Sequence, residues 1–130
     1  MIFLLDTHIL LWFLENDSRL SEIVREVITN PKNLVFVSSV SAWEISIKQS
    51  VGKLIAPSNL EEALQFSQIE ALSITLAHGI KVADLPMHHK DPFDRMLIAQ
   101  ALVEGLTIIT VDEKFKFYDV PLFSIDISSA

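Results

Sequence analysis

HHKDPFDRMLIAQA, residues 88–101, decides how the rest of the chain is read. Asp91 and Asp94 stand three residues apart, next to an apolar run that continues as LVEGL. Asp91 suits a helix N-cap: its side chain can accept from first-turn N–H groups, and Pro92 at N1 loses no hydrogen bond. Asp91-x-x-Asp94 then resembles a capping box with aspartate in place of glutamate, and both charges favour the helix dipole. Capping accounts for Asp91. It does not account for Asp94, which shares a helical face with Leu97, Ile98, Ala101 and Leu102. A carboxylate on a stripe that must be buried is costly unless something compensates it. A site role is therefore the better reading of Asp94.

Downstream, TIIT (107–110) reads as a strand, with Asp112 just beyond it, then a short DEKFKF segment and a last strand near PLFSI. Upstream, IFLLD (2–6) is a buried-strand candidate that runs into the helix THILLWFLEN. LSEIVREVITN (20–30) is helical by spacing and stops at Asn30-Pro31. LVFVS (34–38) is a strand, and SAWEISIKQSVGKL a helix ending near Gly52. SNLEEALQFSQ (58–68) is a helix with Ser58 as its cap, ALSIT (71–75) a strand and LAHGIKVADL a helix. No repeat, low-complexity tract or linker interrupts the chain, so residues 1–130 are expected to form one domain. Strands alternating with helices of this length predict an α/β fold, a mainly parallel central sheet flanked by helices.

In such sheets, sites lie outside the carboxyl ends of the strands. Asp6 ends the first strand, Glu44 follows the second and Asp112 follows TIIT, while Asp94 opens the helix that feeds TIIT. Each has a bland reading. Asp6 or Thr7 caps the first helix. Ser41-x-x-Glu44 is a capping-box pattern, and Lys48 is the i+4 ion-pair partner of Glu44. Asp112 caps the DEKFKF segment. Taken together, four acids at one sheet edge need a counter-ion. Oxygen donors with no cysteine anywhere suit Mg²⁺ or Mn²⁺, and such ions activate water against phosphodiesters.

The histidines are weaker candidates. His8, in Asp6-Thr7-His8, either assists the site or packs beside it. His88 and His89 are adjacent and point in different directions, which argues against a two-histidine clamp. His78 reads as a partly buried helix histidine, and Arg95 as a phosphate contact, a carboxylate orienter or a surface ion pair.

Composition sets the outer bounds. A net charge of −7 does not suit a conventional nucleic-acid binder unless a cation inverts the local field. Half the residues are hydrophobic and the mean hydropathy is +0.39, which leaves apolar surface for a partner. MIFLLDTHILLWFL resembles a signal or membrane segment, but no basic region precedes it and Asp6, His8 and Glu15 break it. A cytoplasmic protein with no membrane association is the expectation.

With those residues in view, the chain resembles PIN domains, and closely the VapC-type toxin ribonucleases of bacterial type II toxin–antitoxin systems. The similar segments are LLDTHILLW (4–12), SAWEISIKQSVGKL (41–54), LPMHHKDPFDRMLIAQALVEGLTIIT (85–110) and DEKFKFYDV (112–120). The resemblance implies a PIN-like three-layer fold and a Mg²⁺-dependent endoribonuclease whose metal site is Asp6, Glu44, Asp94 and Asp112. It also implies Thr110 as an accessory residue, homodimers, and inhibition by an antitoxin. Relatives often carry arginine where Val111 stands here. The rival is a PIN-like RNA-binding or interaction module that does no chemistry. Small-metabolite phosphatases fit less well: no G-N-H motif occurs, and residue 8 is histidine where a D-x-D pair would need aspartate.

Overall fold

The computed structural model describes residues 1–52, 54 and 59–123. Its elements follow the expected alternation: β1 (Ile2–Leu5), α1 (Thr7–Leu14), α2 (Glu22–Thr29), β2 (Leu34–Ser38), α3 (Ser39–Ser50), α4 (Leu60–Phe66), β3 (Glu70–Leu72), α5 (Leu76–Ala83), α6 (Pro92–Glu104) and β4 (Thr107–Ile109), then a 3-10 turn over Glu113–Phe117. The sheet order is β3-β2-β1-β4, and every pairing is parallel. All four strands therefore present their carboxyl ends along one edge.

Strand side chains alternate faces, and both faces of this sheet are covered. Phe3, Leu5 and Ile109 enter one core with Ile9 and Leu10 of α1 and Val24 and Ile28 of α2. Leu4 and Ile108 enter the other, with Leu97, Ile98 and Ala101 of α6. The result is the three-layer α/β arrangement that the alternation of elements implied.

Local chemistry sets the helix ends. Ser21 caps α2 by accepting from the Val24 N–H at 3.2 Å. Asp91 caps α6 as expected, accepting from Phe93 at 2.8 Å and from Asp94 at 3.4 Å, with Pro92 at N1. Gly105 ends that helix at φ 70°, a left-handed conformation that costs glycine nothing, and its N–H donates to the Ala101 carbonyl.

Several expectations need correction. The third strand covers Glu70–Leu72, not 71–75, because Thr75 is taken as the N-cap of α5. Asn59 caps α4, its side chain accepting from the Glu62 N–H at 3.0 Å; Ser58, the expected cap, lies outside the described residues. Of the last strand, only a parallel bridge between Leu122 and Ile108 falls within them. His78 is fully buried, not partly. Its Nδ1 accepts from the Thr75 N–H, so its Nε2 carries the proton and donates to Glu104 at 3.0 Å. No helix among the described residues is long and apolar enough to cross a membrane.

Candidate metal centre

The first acid comes from β1. Leu5 is the last strand residue, and the chain turns at Asp6, whose N–H still donates to the Ile109 carbonyl of β4 at 3.1 Å. Asp6 caps α1 by accepting from Ile9 at 2.8 Å through Oδ1. Its Oδ2 accepts from the Thr110 hydroxyl, which in turn accepts from the Asp112 N–H at 3.0 Å. One hydroxyl thus ties the acid after β1 to the acid after β4. Burial drives the Asp6 pKa up, and these hydrogen bonds work against that.

Glu44 is not a capping-box residue. Helix α3 begins three residues earlier than the Ser41 pattern suggested: Ser38 is the N-cap and accepts from Val40 at 3.0 Å. That places Ser41 and Glu44 inside the helix, on its buried side. The expected Lys48 partner is there, donating to Oε2 at 2.8 Å. The Thr7 hydroxyl donates to Oε1 at 2.7 Å and lies 2.9 Å from the Ser41 hydroxyl.

Asp94 sits in the first turn of α6, above buried Leu97 and Ile98. The N–H of the cap residue Asp91 donates to His89 Nδ1 at 3.2 Å, so no reciprocal capping box draws in the Asp94 carboxylate. Asp112 caps the 3-10 turn, its Oδ1 accepting from Lys114 at 2.9 Å. Among the described residues, Asp94 alone of the four acids has no donor in hydrogen-bond geometry at either carboxylate oxygen. Its pKa is pushed up to about 8, first by burial and then by the charges of Asp91, Asp6, Glu44 and Asp112. A carboxylate in that field ionises readily only beside a cation.

Among the described residues, the ligating atoms that come together are those of Asp94, Asp112 and His89, all within 4.8 Å of one another. Asp6 and Glu44 are outside that set: Thr110 ties Asp6 to Asp112, and Glu44 is bonded to Thr7, the residue after Asp6. His89 is the residue that sequence reasoning passed over. It was right that the two adjacent histidines diverge: His88 is exposed against Phe117 and Tyr118, whereas His89 is buried and faces the acids. Thr7, read only as a competing cap, is the second missed residue.

Two accessory candidates make no hydrogen bond to the four acids among the described residues, although the charge of His8 still acts on Asp6. His8 is exposed, its ring tilted on Trp12 at 6.4 Å. Arg95 is buried and points away from the acids, donating to the carbonyls of Pro86, Val82 and Leu85 at 2.8–3.3 Å and to Tyr118 Oη at 3.1 Å. It ties down the α5–α6 loop and is free neither for phosphate nor for a surface ion pair. Val111, between Thr110 and Asp112, is 45% exposed.

The parallel sheet thus gathers carboxylates and a histidine at its carboxyl edge, a donor set suited to a divalent ion. The PIN domain family model matches residues 3–121, and the chain belongs to that family. No curated relative matches its sequence. Among solved structures it is similar in fold to VapBC from Salmonella typhimurium bound to DNA, with TM-score 0.68, 19% identity and coverage of 95% of this chain and 97% of that one. VapBC2 from Rickettsia felis, bound to a DNA fragment from its promoter, gives 0.67, 19%, 95% and 98%. VapBC-5 from Mycobacterium tuberculosis gives 0.59, 17%, 95% and 98%.

Proposed function

We propose that this PIN domain is a metal-dependent endoribonuclease, the VapC-type toxin of a type II toxin–antitoxin pair, hydrolysing RNA phosphodiester bonds. The observation that carries the reading is the placement of Asp94: largely buried, within 4.8 Å of the ligating atoms of Asp112 and His89, and pushed up to about 8 first by burial and then by the charges of Asp91, Asp6, Glu44 and Asp112. All-oxygen donors of this kind fit Mg²⁺ or Mn²⁺. Asp6, Glu44, Asp94 and Asp112 would hold the ion or ions. The chemistry so supplied is activation of water and neutralisation of phosphate charge.

The protein's own residues do the rest. Thr110 and the Ile9 N–H fix both oxygens of Asp6, and Thr7 with Lys48 fix both oxygens of Glu44, so neither acid needs to reorganise on binding. Water attacks phosphorus, one P–O ester bond breaks, and the displaced oxygen takes a proton. A polymer substrate is supported by Trp43, 58% exposed and edge-on to Phe93 at 5.1 Å, each one residue from a site acid. Such a pair offers a surface on which an unstacked base can rest.

The solved complexes of similar fold support a protein partner, an antitoxin that blocks the site; homodimer formation and a cytoplasmic location follow on the same reading. A groove of about 640 Å³ between α3 and α4, lined by Ala42, Ile45, Leu60, Leu64 and Ile69 and away from the acids, suits an apolar segment of such a partner.

The deciding experiment is cleavage of a mixed RNA substrate by wild type and Asp94→Asn, with Mg²⁺, Mn²⁺ or EDTA. Cleavage that needs the ion and falls at least about 100-fold in a folded variant supports the reading. No cleavage by wild type, or equal cleavage by the variant, replaces it with a PIN-like module that binds RNA or a partner without chemistry.

A further inference from the structure

His89 is 6% exposed and held from several sides. Its backbone N–H donates to Tyr118 Oη at 2.8 Å, its ring meets Phe115 edge-on at 6.2 Å, and its Nδ1 accepts from the Asp91 N–H at 3.2 Å. A ring nitrogen that accepts from an N–H has no proton of its own, so the ring carries its proton on Nε2. That atom is enclosed. It faces Asp94 Oδ2 at 2.9 Å and Asp112 Oδ2 at 3.4 Å, yet no acceptor among the described residues lies in line with its N–H.

We propose that His89 is a positioning residue of the cation site, its Nε2–H spanning the carboxylates of Asp94 and Asp112 and setting their separation without itself ligating the ion. This rests on the reading of the acids as a cation site. The two carboxylates come from different elements, the start of α6 and the turn after β4, and carry like charge when both are ionised around a cation. Nothing in either element fixes the gap between them, and their repulsion would widen it. An enclosed donor between them opposes that and leaves their outer oxygens for the cation. Outer partners of ligating carboxylates commonly act this way.

The tautomer separates this role from direct ligation. An Nε2 lone pair for the ion would put the ring proton on Nδ1, directly against the Asp91 N–H that now donates there. The contact with Phe115 and the bond from the Asp91 N–H to Nδ1 together fix the ring, and in that orientation its Nε2 edge faces two carboxylates.

The test is Mn²⁺ titration by calorimetry on wild type, His89→Asn, His89→Gln and Asp94→Asn, with RNA absent. Asparagine keeps an acceptor for the Asp91 N–H but falls short of the carboxylates, whereas the glutamine amide reaches them. The expected result is a loss of Mn²⁺ affinity of about 10- to 100-fold in His89→Asn, with most of it recovered in His89→Gln. Equal affinity in wild type and His89→Asn overturns the proposal while leaving the cation site standing. No Mn²⁺ binding by wild type overturns the cation site and the proposal with it. Nitrogen NMR of the wild-type imidazole rings needs no variant to fold: the expected pattern is a bare Nδ1 and a protonated Nε2, kept after Mg²⁺ is added. A protonated Nδ1 with a bare Nε2 in the loaded protein makes His89 a ligand and rejects the positioning role.

Discussion

Thr7 donates its hydroxyl proton to Glu44 Oε1 at 2.7 Å, joining the first turn of α1 to the middle of α3. Glu44 is buried, and among the described residues its other oxygen is reached only by the half-exposed Lys48. Removing the Thr7 hydroxyl leaves a buried carboxylate short of a donor. Hydrogen bonds to charged groups contribute about 1.5–3 kcal/mol, so Thr7→Val is expected to lower stability by that order in a denaturant titration with EDTA present. Thr7→Ser should recover most of it. An unchanged midpoint in Thr7→Val would show that the bond holds nothing in place.

Stability should fall as pH rises from about 4 to about 8 when divalent ions are chelated. An unfolded Asp94 titrates near 3.8 and the folded one near 8, so between these values the folded chain binds a proton that the unfolded chain lacks. Raising pH across the window removes that advantage. Asp6, raised by burial, acts in the same direction. Asp17, held down to about 2 by its hydrogen bond from Arg19, contributes stability that is complete above its unfolded value and lost only in stronger acid. Urea titrations at pH 5 and pH 8 check this: wild type loses stability between them, Asp94→Asn loses less, and Mg²⁺ narrows the difference. A wild type equally stable at both pH values would contradict it.

Arg95→Lys separates structure from catalysis. One ammonium cannot serve the four acceptors the guanidinium now reaches, and a carbonyl left without a partner costs about 1–3 kcal/mol. The variant is expected to be roughly 2–4 kcal/mol less stable while its cleavage rate per folded molecule stays near wild type. A stable variant with impaired cleavage would return Arg95 to the phosphate-contact role.

Gly105→Ala probes the end of α6. The added methyl meets nothing within 4 Å, so the cost is the backbone's alone, about 1–2 kcal/mol for a left-handed residue with a Cβ. Cation affinity should be unchanged, since Asp94 lies at the other end of the helix.

The alternation of strands and helices was legible because buried strands and capped helices announce themselves locally, as in Asp91-Pro92 before α6. The approach of Asp94 to Asp112 was legible because a parallel sheet sends its strand ends to one edge. The roles of Glu44, His89 and Arg95 were not. Ser38, at the end of β2, captured the cap of α3 before Ser41 could. Both His89 and Arg95 depend on Tyr118, more than 20 residues further along, whose hydroxyl fixes one backbone and one guanidinium. No spacing rule connects those positions; only the tertiary fold does.

The bond from Thr110 to Asp6 spans 104 residues, and β1 lies between β2 and β4 in the sheet. A nascent chain that has reached residue 105 already carries Asp6, Glu44 and Asp94. It still lacks β4, the hydroxyl that fixes Asp6, and Asp112. The centre therefore comes together only when the final strand arrives. A ribosome partway through making this protein holds no working version of it.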